Sequence, residues 1–173
     1  MSGSVVWFTG LPSSGKTTLA RAVKERLDSR RVPCCLLDSD EIREALSPRP
    51  GYEPAARDAF YKTLGSLAAL LARQGLITLV AATAHQSVYR ERARTAAPRF
   101  IEVYVNTPLE TCERRDTKGL YRRARAGEIS DVPGIHLTYE PSRAPAVVAP
   151  AGSSNETAET VVSAILRGSW RKV

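Results

Sequence analysis

At 173 residues, with 43% apolar and 25% charged side chains, the chain has the length and composition of one soluble globular domain. Cys34, Cys35 and Cys112 cannot pair completely, which excludes a disulfide framework and fits a reducing, cytoplasmic setting, and no apolar stretch approaches the roughly 20 residues that span a bilayer. The net charge of +7, mostly arginine, calls for an anionic partner without choosing between nucleic acid and small phosphates or sulfates.

Val5-Val6-Trp7-Phe8 reads as a buried strand with no basic n-region ahead of it, so no signal peptide is expected. A glycine-rich turn follows, then a helix from Thr17 to Leu27 with Leu19, Val23 and Leu27 on one face. Val32 to Leu37 is a second strand, ending at Asp38-Ser39-Asp40, with a helix expected from near Glu41. Tyr52 to Gln74 holds a long helix stopped by Gly75, and Leu76 to Ala82 is a third strand. An arginine-rich helix is expected over Val88 to Ala97, a strand over Ile101 to Val105 and a helix opening at Pro108. Asp116 to Pro145, rich in glycine, proline and basic residues, reads as a long irregular lid. A short strand at Ala146 to Ala149 and a helix at Asn155 to Arg167 close the chain. The alternation predicts a three-layer α/β fold: a mainly parallel five-stranded sheet with helices on both faces, in one domain over residues 1–173 with a mobile lid at roughly 116–145.

Gly10-Leu11-Pro12-Ser13-Ser14-Gly15-Lys16-Thr17 matches the phosphate-loop pattern in full, with a strand before it and an amphipathic helix after. Gly10 and Gly15 let the backbone turn so that successive N–H groups point at one phosphate. The helix start adds its partial positive charge. Lys16 is expected to reach the terminal phosphates of ATP, and the Thr17 hydroxyl to ligate Mg²⁺. Asp38 and Asp40 form a second anchor, because ligands of open α/β sheets sit at the carboxyl ends of strands. A carboxylate there either orients an acceptor hydroxyl or caps the next helix, and spacing leaves both readings open. Arg43 is placed to grip an anion.

These segments resemble the adenylylsulfate kinases, a P-loop kinase family. The resemblance rests on Phe8 to Thr18, Leu36 to Arg43, and Phe100 to Cys112, and continues through Arg115-Asp116-Thr117-Lys118-Gly119-Leu120-Tyr121 to Gly134-Ile135 and Tyr139-Glu140-Pro141. It implies phosphoryl transfer from MgATP to the 3′-hydroxyl of adenylyl sulfate in sulfate assimilation. By position, it puts Asp40 at the acceptor hydroxyl with Lys16 and Asp38 as catalytic companions. Gly10 through Thr18 and Arg115 would hold ATP. Arg43, Tyr52, Arg57, Lys118, Gly119 and Leu120 would hold the acceptor, with Tyr52 stacking on its adenine. A homodimer is also implied.

Departures gather on the acceptor side. Phe60 stands where the family has asparagine, Thr83-Ala84-His85-Gln86 replaces Ile-Ser-Pro-Tyr, and Val132 takes the place of a second stacking aromatic. A different small hydroxyl acceptor is therefore an alternative, as is a non-catalytic nucleotide-binding module. Nucleic acid is disfavoured because acidic residues interrupt the arginines between Arg90 and Arg125 with no aromatic platform among them. His85 and Gln86 are either rim residues that hydrogen-bond a hydroxyl or parts of an exposed loop.

Overall fold

The computed structural model describes residues 3–152 and 155–167. Five strands, β1 (Ser4–Thr9), β2 (Cys34–Asp38), β3 (Ile77–Ala81), β4 (Phe100–Asn106) and β5 (Val147–Pro150), form one sheet in the order β2-β3-β1-β4-β5. Every pairing is parallel. Among the described residues seven helices accompany them: α1 (Lys16–Ser29), α2 (Ser39–Ala45), α3 (Pro54–Arg73), α4 (Ser87–Ala96), α5 (Leu109–Arg114), α6 (Leu120–Arg125) and α7 (Asn155–Arg167).

The strand period of two divides the apolar side chains between two cores. Val6 and Phe8 of β1 join Leu19, Val23 and Leu27 of α1 and Val161, Val162 and Ile165 of α7 on one face. Val5 and Trp7 face the other way, toward Leu64, Ala68 and Ala72 of α3 and Tyr89 and Ala93 of α4. A central strand buried on both faces has to read as a continuous apolar run, as Val5 to Phe8 does. A third, smaller cluster of Cys112, Tyr121, Ala124 and Val132 packs with Leu11, Leu109 and Ile135 beside the phosphate loop.

Two expectations need correction. The second helix begins at Ser39, not near Glu41, because the Asp38 carboxylate accepts the Asp40 N–H at 2.9 Å and caps it two residues earlier. The segment expected to be irregular contains α6. There the Asp116 carboxylate accepts the N–H groups of Leu120 at 2.8 Å and Tyr121 at 2.7 Å. Gly119 enters this helix at φ 66°, in the left-handed region that glycine adopts without a side-chain penalty.

Candidate active site

The carboxyl ends of β1, β2 and β3 open into a cleft of about 1170 Å³, roomier than the 300–1,000 Å³ typical of a single small-ligand pocket. Seven lysines and arginines line it against four carboxylates, so part of the chain's positive charge is concentrated in this cleft.

The phosphate loop forms one end. A side chain at Gly10 would lie 2.5 Å from the Val105 carbonyl oxygen, so only glycine lets the loop leave β1 this close to β4. Gly15 turns at φ 103° into α1. Lys16 is buried, and its Nζ donates to the carbonyls of Gly10 (3.1 Å) and Leu11 (2.7 Å). Burial lowers its pKa to about 8. The Thr17 hydroxyl donates to Asp38 Oδ2 at 2.5 Å, while the other Asp38 oxygen carries the helix cap. These adjacent oxygens suit a hard cation such as Mg²⁺, which takes one or two protein oxygens and completes its shell with phosphate and water. The described residues hold no cluster of three or more His, Cys, Asp or Glu side chains able to bind a metal without such help.

Asp40 is therefore not the cap. It stands on the first turn of α2, and its Oδ2 accepts from Lys118 Nζ at 2.6 Å. Both side chains remain largely exposed in the cleft mouth. The carboxylate raises the Lys118 pKa, chiefly through this hydrogen bond.

Farther along the cleft lie two buried guanidinium groups that have no carboxylate partner among the ion pairs of the described residues. Arg43 donates to the Gly51 carbonyl at 2.9 Å and sits over the rings of Phe60 (3.7 Å to the centroid) and Tyr52 (4.5 Å). Burial lowers its pKa. Arg57 donates to the carbonyls of Tyr52 (3.1 Å) and Asp131 (2.9 Å). Carbonyls and ring faces hold these cations in place without cancelling their charge.

The lid is pinned at both ends. Tyr121 Oη donates to the Pro12 carbonyl at 2.8 Å, tying α6 to the phosphate loop. At the other end, the Thr9 hydroxyl donates to Thr83 O, so the Tyr139 phenol supplies the proton in its 2.8 Å contact with Thr9. Arg90, buried and paired with Glu102 at 3.0 Å, donates to the carbonyls of Ala84 (2.5 Å) and Glu140 (2.7 Å).

The model of the adenylylsulphate kinase family matches residues 2–150. The chain belongs to this family. It is 45% identical over 146 residues to an adenylyl-sulfate kinase of Synechococcus sp. (strain JA-3-3Ab), covering 84% of this chain and 83% of the relative. A second Synechococcus relative, from strain JA-2-3B'a(2-13), is 44% identical over the same shares. The fold superposes with a TM-score of 0.90 on the APS kinase of Mycobacterium tuberculosis solved in complex with AMPPNP and APS. That protein is 37% identical, with 95% of this chain and 98% of the other covered.

Of the residues singled out in the adenylylsulfate kinase reading, Pro12 to Thr18, Asp38, Asp40, Arg43, Tyr52, Arg57, Arg115, Lys118 and Leu120 all line the one cleft. Gly10, Leu11 and Gly119 shape the backbone beside it but do not line it. The departing positions behave differently. Phe60 is buried under Arg43 and is not a cleft-lining residue, whereas Val132 lines the cleft wall. His85 neither lines the cleft nor sits in an exposed loop. It is 4% exposed, edge-on to Tyr89 at 5.7 Å, with its pKa lowered to about 4 mainly by burial. Gln86 is exposed and precedes α4 without capping it through its side chain. Thr83, the first of the departing Thr83-Ala84-His85-Gln86 run, lines the cleft, as do Tyr61, Arg49 and Arg123, which nothing in their sequence positions marks.

Proposed function

We propose that this chain is an adenylyl-sulfate kinase, transferring the γ-phosphoryl group of ATP to the 3′-hydroxyl of adenylyl sulfate. One observation carries the reading: a single cleft joins a complete phosphate loop to two buried arginines without carboxylate partners, with Asp40 between them at its mouth. A nucleoside triphosphate suits the loop end, and a second, anionic nucleotide suits the arginine end. The sequence kinship of the family and the APS-bound relative support that acceptor.

Phosphoryl transfer depends on positioning and charge neutralisation. Lys16 and the N–H groups of Gly10 to Thr18 hold the transferring phosphates, with Arg115 near the nucleotide. Thr17, backed by Asp38, would hold Mg²⁺, which would supply positive charge against the transferring phosphates. Asp40 orients the acceptor hydroxyl and takes its proton. Arg43 and Arg57 hold the acceptor's anion, and Tyr52 presents a ring face to its base, with Lys118, Gly119 and Leu120 closing over it. The lid, roughly 116–145, excludes water so that ATP is not hydrolysed. The reading takes residues 1–173 as one kinase domain that works in the cytoplasm, and the family resemblance adds a homodimer.

The test supplies MgATP with adenylyl sulfate and, separately, with a panel of hydroxylated metabolites, and reads products by mass. Gain of one phosphoryl group on adenylyl sulfate is the expected result. Gain on another compound alone would move this chain to a different acceptor, the outcome that Val132, with no ring face to offer in the cleft wall, would explain.

A further inference from the structure

Tyr61 is the buried polar group in the cleft that the proposed chemistry leaves unused. It lies on α3, is 7% exposed, and lines the cleft with Arg43 and Arg57. Its ring is held from two sides, stacked on Tyr89 at 4.6 Å and edge-on to Phe60 at 5.4 Å. The oxygen accepts the backbone N–H of Ala84 at 3.0 Å. That residue sits at φ 41°, where its amide is turned toward α3. A phenol that accepts one hydrogen bond still has a proton to give, and among the described residues no oxygen takes it. Buried hydroxyls without an acceptor are rare in folded proteins. The charges of Arg43 and Arg57 also act on this oxygen and oppose the upward pull of burial on its pKa.

We propose that Tyr61 is a substrate-binding and specificity residue: its phenol donates a hydrogen bond to the anionic phosphosulfate of the acceptor, as the neutral third donor beside Arg43 and Arg57. This rests on the acceptor reading above and deepens it. Two guanidinium donors and a phenol whose oxygen already accepts the Ala84 N–H suit a tetrahedral anion rich in lone pairs, and they disfavour a sugar hydroxyl that must also give a proton away. The fixed ring makes the donor preorganised, so little ordering is needed on binding.

The test compares wild type, Tyr61→Phe, and a variant with difluorotyrosine at position 61, at mildly acidic pH where that phenol stays protonated. Fluorination strengthens the phenol as a donor and weakens it as an acceptor. Tyr61→Phe is expected to raise the KM for adenylyl sulfate on the order of tenfold to a hundredfold, the size of one hydrogen bond to a charged group, while the KM for ATP holds. The difluorotyrosine variant is expected to bind adenylyl sulfate at least as tightly as wild type. A phenol that merely holds the Ala84 N–H would behave oppositely, with fluorination weakening the site as the phenylalanine does, and that result overturns the proposal. An unchanged KM in Tyr61→Phe overturns it too. Failure of the acceptor reading looks different: wild type itself neither binds nor phosphorylates adenylyl sulfate, and the proposal falls with it.

Discussion

The Arg43 guanidinium lies 3.7 Å from the centroid of the Phe60 ring and 4.5 Å from that of Tyr52. Phe60 replaces a polar residue of the family pattern, yet it does not open a gap in the cleft; it becomes the shelf on which the cation rests. A desolvated cation–π contact contributes about 2 kcal/mol. Phe60→Leu should therefore raise the acceptor KM roughly tenfold, leave the KM for ATP unchanged, and cost about 1 kcal/mol of stability. Steady-state kinetics with each substrate varied in turn checks this. Equal effects on both substrates would make Phe60 a general packing residue.

Lys16 is held by two carbonyls and, through burial, has a pKa near 8. Phosphate oxygens favour its charged form, so nucleotide binding should draw in a proton once the pH exceeds about 8. ATP affinity should fall as pH rises through that value. Calorimetry in buffers of different ionisation enthalpy measures the uptake. In Lys16→Ala the pH dependence and the turnover should both vanish while the fold, followed by circular dichroism, is retained.

Asp40 and Lys118 meet at 2.6 Å, with side chains 61% and 75% exposed. An ion pair that wet contributes at most about 1 kcal/mol, so Lys118→Ala should leave thermal stability nearly unchanged while slowing transfer. Asp40→Asn should lower kcat by roughly a hundredfold or more and leave ATP binding close to wild type. Equal loss of binding and transfer in that variant would recast Asp40 as structural.

His85 is buried as the neutral imidazole, its pKa near 4 against 6.5 when free. Between those values the unfolded chain binds the proton that the folded chain refuses. The stability is therefore fully present above 6.5 and lost as pH falls toward 4, by up to about 3 kcal/mol. Urea titrations across that window should show the loss. His85→Leu should flatten this part of the profile, and an unchanged profile would place the acid sensitivity elsewhere.

Much of the fold is legible in the sequence because its signals are local. Val5 to Phe8 reads as a strand buried on both faces, and Asn155 to Arg167 has the helix bounds found in the structure. The phosphate loop is legible because glycines mark its turns at φ 154° and φ 103°. α6 is not, since six residues are too few to show a period, and its start is set by the Asp116 side chain reaching forward. Tyr61 and Arg90 are also invisible. Both look like ordinary helix residues until α3 and α4 bring them against Ala84, whose backbone each one binds through a different atom.

The four buried cations among the described residues share one habit: Lys16, Arg43, Arg57 and Arg90 are all fastened to main-chain oxygens. A main-chain oxygen is present whatever residue carries it. Asp131, Gly51 and Ala84 can thus be exchanged in the course of divergence without releasing the group they hold, provided the chain keeps its path. Constraint on this pocket falls on geometry more than on identity, so relatives can share its working shape after the letters lining it have drifted apart.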